Sequence, residues 1–539
     1  VFLAKRLVLA HFWVAFIAFF AAIVLGEWQM FVRSPLSPWV NNPEHYYRSV
    51  TAHGTVMAYV LPTLVAMGFG YAITELALGR PLIGLRWAWA GFWLVIAGTL
   101  MAAVTTASGK SSVLYTFYPP MIGSTFYYLG IVLVVVGSWI WVALMSLNLR
   151  AWKKAHPGAS MPLAMFGNVA GAYLWAWTSV GAAAEILLLI LPASTGFADT
   201  INVGLARVLF SWTLHAIVYF WLMPAYIAFY TLFPRAIGSR LYSDTMGRVA
   251  FALFLVFSMP IGIHHLFADP QVGAGFKFVH AAMTAMVSVP TLLTVFTIVA
   301  SAEIAGRLRG GKGPIGWVKA LPWSNPWMLA VTLAFIMLGF GGAGGIINMS
   351  YQLNESIHNT QWVTGHFHLI FAGAIVIMYF MVAYELWPQL CACQPLSPRL
   401  INAQVWSWFI GMMILTMPWH LVGLLGAPRR MAYYDYTHPL LAPQAITVII
   451  STIGGLILVI SAALFIYILA TPQRQDTQAP VFTFSQAVHP HARVPAALNG
   501  FALWVGMMIA LTVVNYGYPI LQLAITPEAS VPIVPIGAR

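Results

Sequence analysis

Apolar runs of about 20 residues recur from one end of the chain to the other, separated by short stretches richer in proline, glycine and charge. A helix rising 1.5 Å per residue needs roughly that length to cross a ~30 Å hydrocarbon layer. Thirteen runs are predicted to be membrane-spanning helices: 8–30, 50–78, 87–107, 125–148, 165–192, 208–233, 247–268, 275–302, 327–349, 363–388, 404–425, 443–470 and 499–523. Merging or splitting one run gives twelve or fourteen. Connections such as Pro157-Gly158, Arg307 to Gly313 and Pro472 to Arg474 are too short for interdomain linkers, and no internal repeat is seen. The expected architecture is all-α, a polytopic membrane helical bundle forming a single domain over 1–539. Lys5 and Arg6 lead into a first run without a small-residue cleavage site, so it reads as a retained helix.

Composition agrees: 60% of the 539 residues are hydrophobic and 7% charged, which excludes a soluble globular chain. The net charge of +12 invites a nucleic-acid partner, but the placement of the basic residues argues against one. With thirteen spans, the loops on the amino-terminal side hold Lys5, Arg6, Arg80, Arg86, Arg150, Lys153, Lys154, Arg235, Arg240, Arg248, Arg307, Arg309, Lys312, Lys319, Arg399, Arg474 and Arg493, which is 17 of the 25 Lys and Arg. That asymmetry follows the positive-inside rule and puts the amino terminus in the cytoplasm and the carboxyl terminus outside. Cys391 and Cys393 are the only cysteines, fall on the reducing side, and are expected to be free thiols.

Within this apolar chain, His53, His215, His264, His265, His366 and His368 fall near the outer ends of spans two, six, seven and ten. A polar ring in hydrocarbon is costly unless something binds it. Residues two apart on a helix are rotated by about 200°, so His366 and His368 project from opposite faces and can ligate two different groups. His53 is a plausible second ligand for one of them, giving a six-coordinate haem; the other haem would be five-coordinate and open to substrate. His215 with His264 and His265 supplies three imidazoles, a set suited to copper with a free position. The other nine histidines, His11, His45, His156, His280, His358, His420, His438, His489 and His491, read mostly as hydrogen-bonded packing or loop residues.

The segments around these residues, Trp212-Thr213-Leu214-His215-Ala216-Ile217-Val218-Tyr219, Ile263-His264-His265-Leu266-Phe267-Ala268-Asp269-Pro270 and Thr364-Gly365-His366-Phe367-His368, resemble the metal-binding signatures of subunit I of haem-copper oxygen reductases. Leu114 to Pro120 and Ala427-Pro428-Arg429-Arg430 are similar to the B-type branch. The resemblance implies that His53 and His368 ligate a low-spin haem b and His366 a high-spin haem, expected to be a-type. It implies that His215, His264 and His265 hold one copper ion. It further implies a covalent bond between His215 and Tyr219, with Tyr219 and His215 catalytic, and haem propionates neutralised by Arg429 and Arg430. Two departures stand out: Leu214-His215-Ala216 replaces the family's usual Gly-His-Pro, and Asn354 stands where the B-type pattern has an Asp.

Reduction of oxygen in a buried site needs a polar path for protons. Tyr219, Tyr226 and Tyr230 share one helix face within about 40° and descend about 16 Å toward the cytoplasm. Thr291 and Thr294 lie at a matching depth on span eight, and Ser243 marks a candidate entrance. On spacing alone an aromatic stripe is more often packing; similarity to the B-type path favours a proton route. Ile217 stands where A-type oxidases often carry a Glu, which argues against their second path. Glu185 reads equally as a proton-loading group or a neutral hydrogen-bonded acid. No Cys-x-x-Cys-His haem site or Cys-containing copper cluster is present. The resemblance therefore implies a separate subunit II carrying the centre where electrons enter, small membrane subunits, and cytochrome c or another periplasmic donor. The expected setting is a prokaryotic cytoplasmic (inner) membrane, with O2 as substrate. The nearest rival is a nitric oxide reductase of the same superfamily, which Tyr219 and the lack of a glutamate beside the three histidines disfavour. A polytopic transporter explains the spans but not the histidine pattern.

Overall fold

The structure, a computed structural model, describes residues 4–37, 42–439, 441–473, 482–490, 493–526 and 530–537. Arg474 and His491, counted above, lie outside the described residues. Among the described residues, twelve helices are long and apolar enough to cross a membrane, and a shorter one stands among them. In chain order they are α1 (Lys5–Arg33), α2 (Pro43–Leu78), α3 (Leu85–Ala107), α4 (Thr125–Ala155), α5 (Leu163–Ser194), α6 (Val203–Thr231), α7 (Asp244–Phe257), α8 (Ala274–Leu308), α9 (Pro326–Met349), α10 (Gln361–Cys391), α11 (Pro398–Leu424), α12 (Ala442–Ala470) and α13 (Ala502–Ala524).

The short member corrects the seventh predicted span. α7 is helical for only 14 residues, and the apolar run continues through Pro260 into a 3-10 turn, Gly262–Leu266, that carries His264 and His265. Proline has no N–H to donate and pushes the preceding residue out of the helical region, so the helix cannot run on to the histidines. Hydropathy measures the length of an apolar run and is blind to this break.

Helix contact is closest where side chains vanish. A Cβ on Gly98 of α3 would fall 2.3 Å from the Gly130 carbonyl oxygen of α4, so these two backbones touch, as small residues allow in hydrocarbon. Among the described residues, three helices contain a π turn: Val56–Val60 in α2, Ile186–Ile190 in α5 and His368–Ile375 in α10. The first two end two residues before Pro62 and Pro192, whose missing N–H frees a carbonyl upstream. All three lie beside residues of a central cavity, where such turns often re-aim side chains. At one end of the bundle, Ser530–Pro532 pairs antiparallel with Thr200–Asn202, and Val534–Pro535 pairs parallel with Met121–Ile122. Cys391 is exposed, Cys393 is buried, and both are free thiols.

Candidate metal centre

A cavity of about 1040 Å³ runs through the bundle and is lined by all six of the singled-out histidines, together with Tyr219, Tyr226, Thr291, Arg429, Arg430 and Glu185. That volume lies at the upper end of the ~300–1,000 Å³ typical of a site for one small molecule. Tyr230, Thr294 and Ser243 lie outside its lining.

The first histidine pair bridges α2 and α10. The His53 and His368 rings are 6.2 Å apart between centroids with planes 14° from parallel. Two imidazoles bonded end-on to one metal atom through nitrogens at about 2 Å would have nearly this separation. In each ring the other nitrogen is already committed: Nδ1–H donates to the Ala22 carbonyl at 2.7 Å in His53 and to the Thr364 carbonyl at 2.9 Å in His368. That fixes the tautomer and leaves an Nε2 lone pair to ligate. His366 is prepared in the same way, with Nδ1–H on the Gly341 carbonyl of α9 at 2.7 Å. A Cβ on Gly345 would come within 3.0 Å of its ring, so the glycines of α9 leave room for it.

The second cluster joins α6 to the turn after α7. The ligand nitrogens of His215, His264 and His265 all lie within 4.8 Å of one another. His215 Nδ1 and His265 Nε2 are 3.1 Å apart, close to the spacing of two ligand atoms around one metal with ~2 Å bonds. The Thr284 hydroxyl of α8 donates to the His280 carbonyl at 2.6 Å, so toward His264 Nδ1, 2.9 Å away, it can only accept. His264 Nε2 is thereby left free to ligate a metal. His215 Nε2 is buried without a hydrogen-bond partner, and the Tyr219 ring lies 5.0 Å away between centroids at 36°. The donor set is three neutral imidazoles with no carboxylate among them, which fits copper and gives no foothold to a site built on glutamates.

Below this cluster the predicted hydroxyl residues meet in pairs. The Tyr226 hydroxyl is 3.1 Å from Thr291 Oγ1, and the Tyr230 hydroxyl donates to Thr294 Oγ1 at 2.9 Å. Ser243 caps the start of α7, its Oγ accepting the Met246 N–H at 3.2 Å. Arg429 donates from Nη2 to Asn359 Oδ1 at 2.7 Å, and Arg430 lies over the Tyr118 ring. Burial, and then the neighbouring Arg430 charge, push the Arg429 guanidinium below its usual value. Neither arginine has an acidic partner among the described ion pairs. Two adjacent cations that line the cavity and form no ion pair among the described residues fit an anionic group such as a carboxylate.

Asn354 is buried and spends its amide on the Asn348 carbonyl and on His358 Nδ1, 3.0 Å away, while Glu355 is exposed. Thr284, Asn359 and His280 were not singled out as site residues from the sequence, although His280 Nδ1 accepts the Ile263 N–H at 3.3 Å. The spacing of Thr284 seven residues before Thr291 was an available signal for a shared helix face.

An all-helical membrane bundle that turns three clustered imidazoles, a facing imidazole and a separate imidazole pair into one cavity defines a haem- and copper-binding redox subunit. The family model for cytochrome c and quinol oxidase polypeptide I matches residues 6–457, and the chain belongs to that family. It is 38% identical over 501 residues to cytochrome c oxidase subunit 1 of Thermus thermophilus, covering 90% of this chain and 88% of that one. It is 26% identical to cytochrome c oxidase subunit 1 of Synechocystis, covering 80% of this chain and 76% of the other. A haem-copper terminal oxidase dimer solved by cryo-electron microscopy superposes with a TM-score of 0.92 at 31% identity, covering 98% of this chain and 94% of that one. The chain is the catalytic subunit of a terminal oxidase, an oxidoreductase whose family carries haems and copper and works in a membrane with a subunit II.

Proposed function

We propose that this chain reduces O2 to water with four electrons and four protons and couples the reaction to proton translocation. In this reading, His53 and His368 hold a low-spin haem b, and His366 holds a high-spin a-type haem. His215, His264 and His265 hold one copper ion. When bound, the haem irons and copper supply the electrons and the open coordination that oxygen chemistry needs. The chain supplies the rest. Backbone carbonyls orient the haem-ligating rings before any metal arrives, and Arg429 and Arg430 neutralise propionates. Tyr219 holds a phenolic proton at the cavity wall beside His215, to which we expect it to be covalently joined. The Tyr226–Thr291 and Tyr230–Thr294 pairs hold hydroxyl protons beneath it on the route from Ser243.

The observation that carries this reading is the three-imidazole cluster with Tyr219 one helical turn from His215, facing the cavity that His366 also faces. The excess of basic residues in the loops on the amino-terminal side supports a cytoplasmic amino terminus and an outer carboxyl terminus in a prokaryotic inner membrane. We infer one domain over 1–539, partnered by subunit II, small membrane subunits and cytochrome c or another periplasmic donor. The test is oxygen uptake by the purified complex with reduced cytochrome c. Tyr219→Phe is expected to abolish nearly all turnover while retaining its haem; unchanged turnover removes Tyr219 from the mechanism.

A further inference from the structure

The three clustered imidazoles hang from two pieces of backbone, α6 and the turn Gly262–Leu266, and a phenol from the last helix joins them. The Gly262 N–H donates to the Tyr516 hydroxyl at 3.0 Å, and that hydroxyl donates to the Ser211 carbonyl at 3.2 Å. Gly262 lies two residues before His264, and Ser211 lies one helical turn before His215. Tyr516 is fully buried, with its ring against Trp212 and the edge of His280.

The bridge has a reason to exist. Past the end of α7 the Gly262 N–H has no helical partner, and an N–H left unsatisfied in an apolar interior is strongly unfavourable. The two backbones also touch directly: a Cβ on Gly262 would fall 1.8 Å from the Ser211 carbonyl oxygen and 2.5 Å from the Tyr516 oxygen. No side chain can be inserted there, so the phenol ties the two segments at their closest approach. α13 is itself anchored away from the cluster. Trp177 Nε1 of α5 donates to Thr512 Oγ1 at 2.9 Å, and Asn202 Nδ2 donates to the Leu523 carbonyl at 2.9 Å. α13 lies beyond the stretch matched by the family model.

We propose that Tyr516 is a positioning residue for the copper ligands. It fixes the gap between His215 and the His264–His265 pair by holding their two backbone segments in register. This rests on the reading that those three histidines hold copper.

The test uses the purified complex, with Tyr516→Phe matched to wild type on low-spin haem absorbance, so that a fold defect is read separately. Copper per haem, the rate of copper loss to a chelator, and the infrared band of carbon monoxide photolysed from the high-spin haem are then compared. Tyr516→Phe is expected to lose copper about tenfold faster, the scale of outer-shell changes at metal sites. Its carbon monoxide band should shift while the low-spin haem spectrum stays as in wild type. Tyr518→Phe, two residues along on an exposed face, should match wild type in all three measurements. A wild-type copper-loss rate and band in Tyr516→Phe overturn the proposal. Wild type without copper overturns the copper reading itself, a different result from copper that is present but indifferent to Tyr516. Should Tyr516→Phe not assemble, Thr512→Val loosens α13 while sparing the phenol; it is expected to lose copper faster by a smaller factor, and a wild-type rate there also overturns the proposal.

Discussion

The two histidine sites on this cavity are held by different means. The His53–His368 pair stands on two long helices, and each ring is set by a bond to a backbone carbonyl. The His215, His264 and His265 cluster joins a helix to a 3-10 turn, and its supports are side chains from elsewhere: Thr284 under His264, His280 and Tyr516 under the turn, and Arg207 paired with Asp269 behind it. Carbonyls cannot be removed by substitution, whereas side chains can. The first site is therefore robust to changes nearby, and the second can be tuned from a distance.

The sharpest way to break this comparison is to remove one ligand from each side. His265→Asn is expected to lose copper and lower oxygen turnover by roughly 100-fold or more while the low-spin haem spectrum persists. His53→Ala should do the reverse, losing the low-spin spectrum and keeping copper, as read by metal analysis. If both centres vanish in both variants, the sites are not independent. Thr284→Val is next: loss of the hydroxyl that accepts from His264 should weaken copper retention about tenfold, measured by chelator challenge at constant haem. Tyr230→Phe breaks the pair with Thr294 without touching any ligand, and should slow turnover by up to about 100-fold at most, with both metals at wild-type content. Unchanged turnover would take the tyrosine and threonine pairs out of the proton route. The smallest effect is expected from Asn359→Ala, which strips an exposed partner from Arg429 and should change thermal stability by under about 1 kcal/mol, followed by haem absorbance.

Much of the first site was legible in the sequence because it follows helical periodicity. The two-residue spacing of His366 and His368 placed their rings on opposite faces, and the apolar runs placed His53 on a neighbouring depth. The shared face of Tyr219, Tyr226 and Tyr230 was legible for the same reason, since spacings of seven and four keep side chains on one face, whereas their pairing with Thr291 and Thr294 is a contact between helices that spacing does not encode. The second site was less so. The apolar run over 247–268 predicts an unbroken helix, and only the local chemistry of Pro260 and Gly262 turns it into a broken one. Thr284 shares a helix face with Thr291, but its contact with His264, like the contact of the distant Tyr516 with Gly262, is tertiary, and no local pattern encodes it. The pairing of 530–535 with two distant loops lies beyond reach for the same reason, being set by two short ladders between segments hundreds of residues apart.

His366 and His368 sit two residues apart on α10, and in the proposed function each holds one of the two haems. Two groups held two residues apart on one helix would travel together whenever that helix tilts or slides, so the spacing that governs electron tunnelling between them would be insulated from breathing of the surrounding bundle. Adding a single residue between the two would swing one ring by about 100° and uncouple the centres without deleting either ligand.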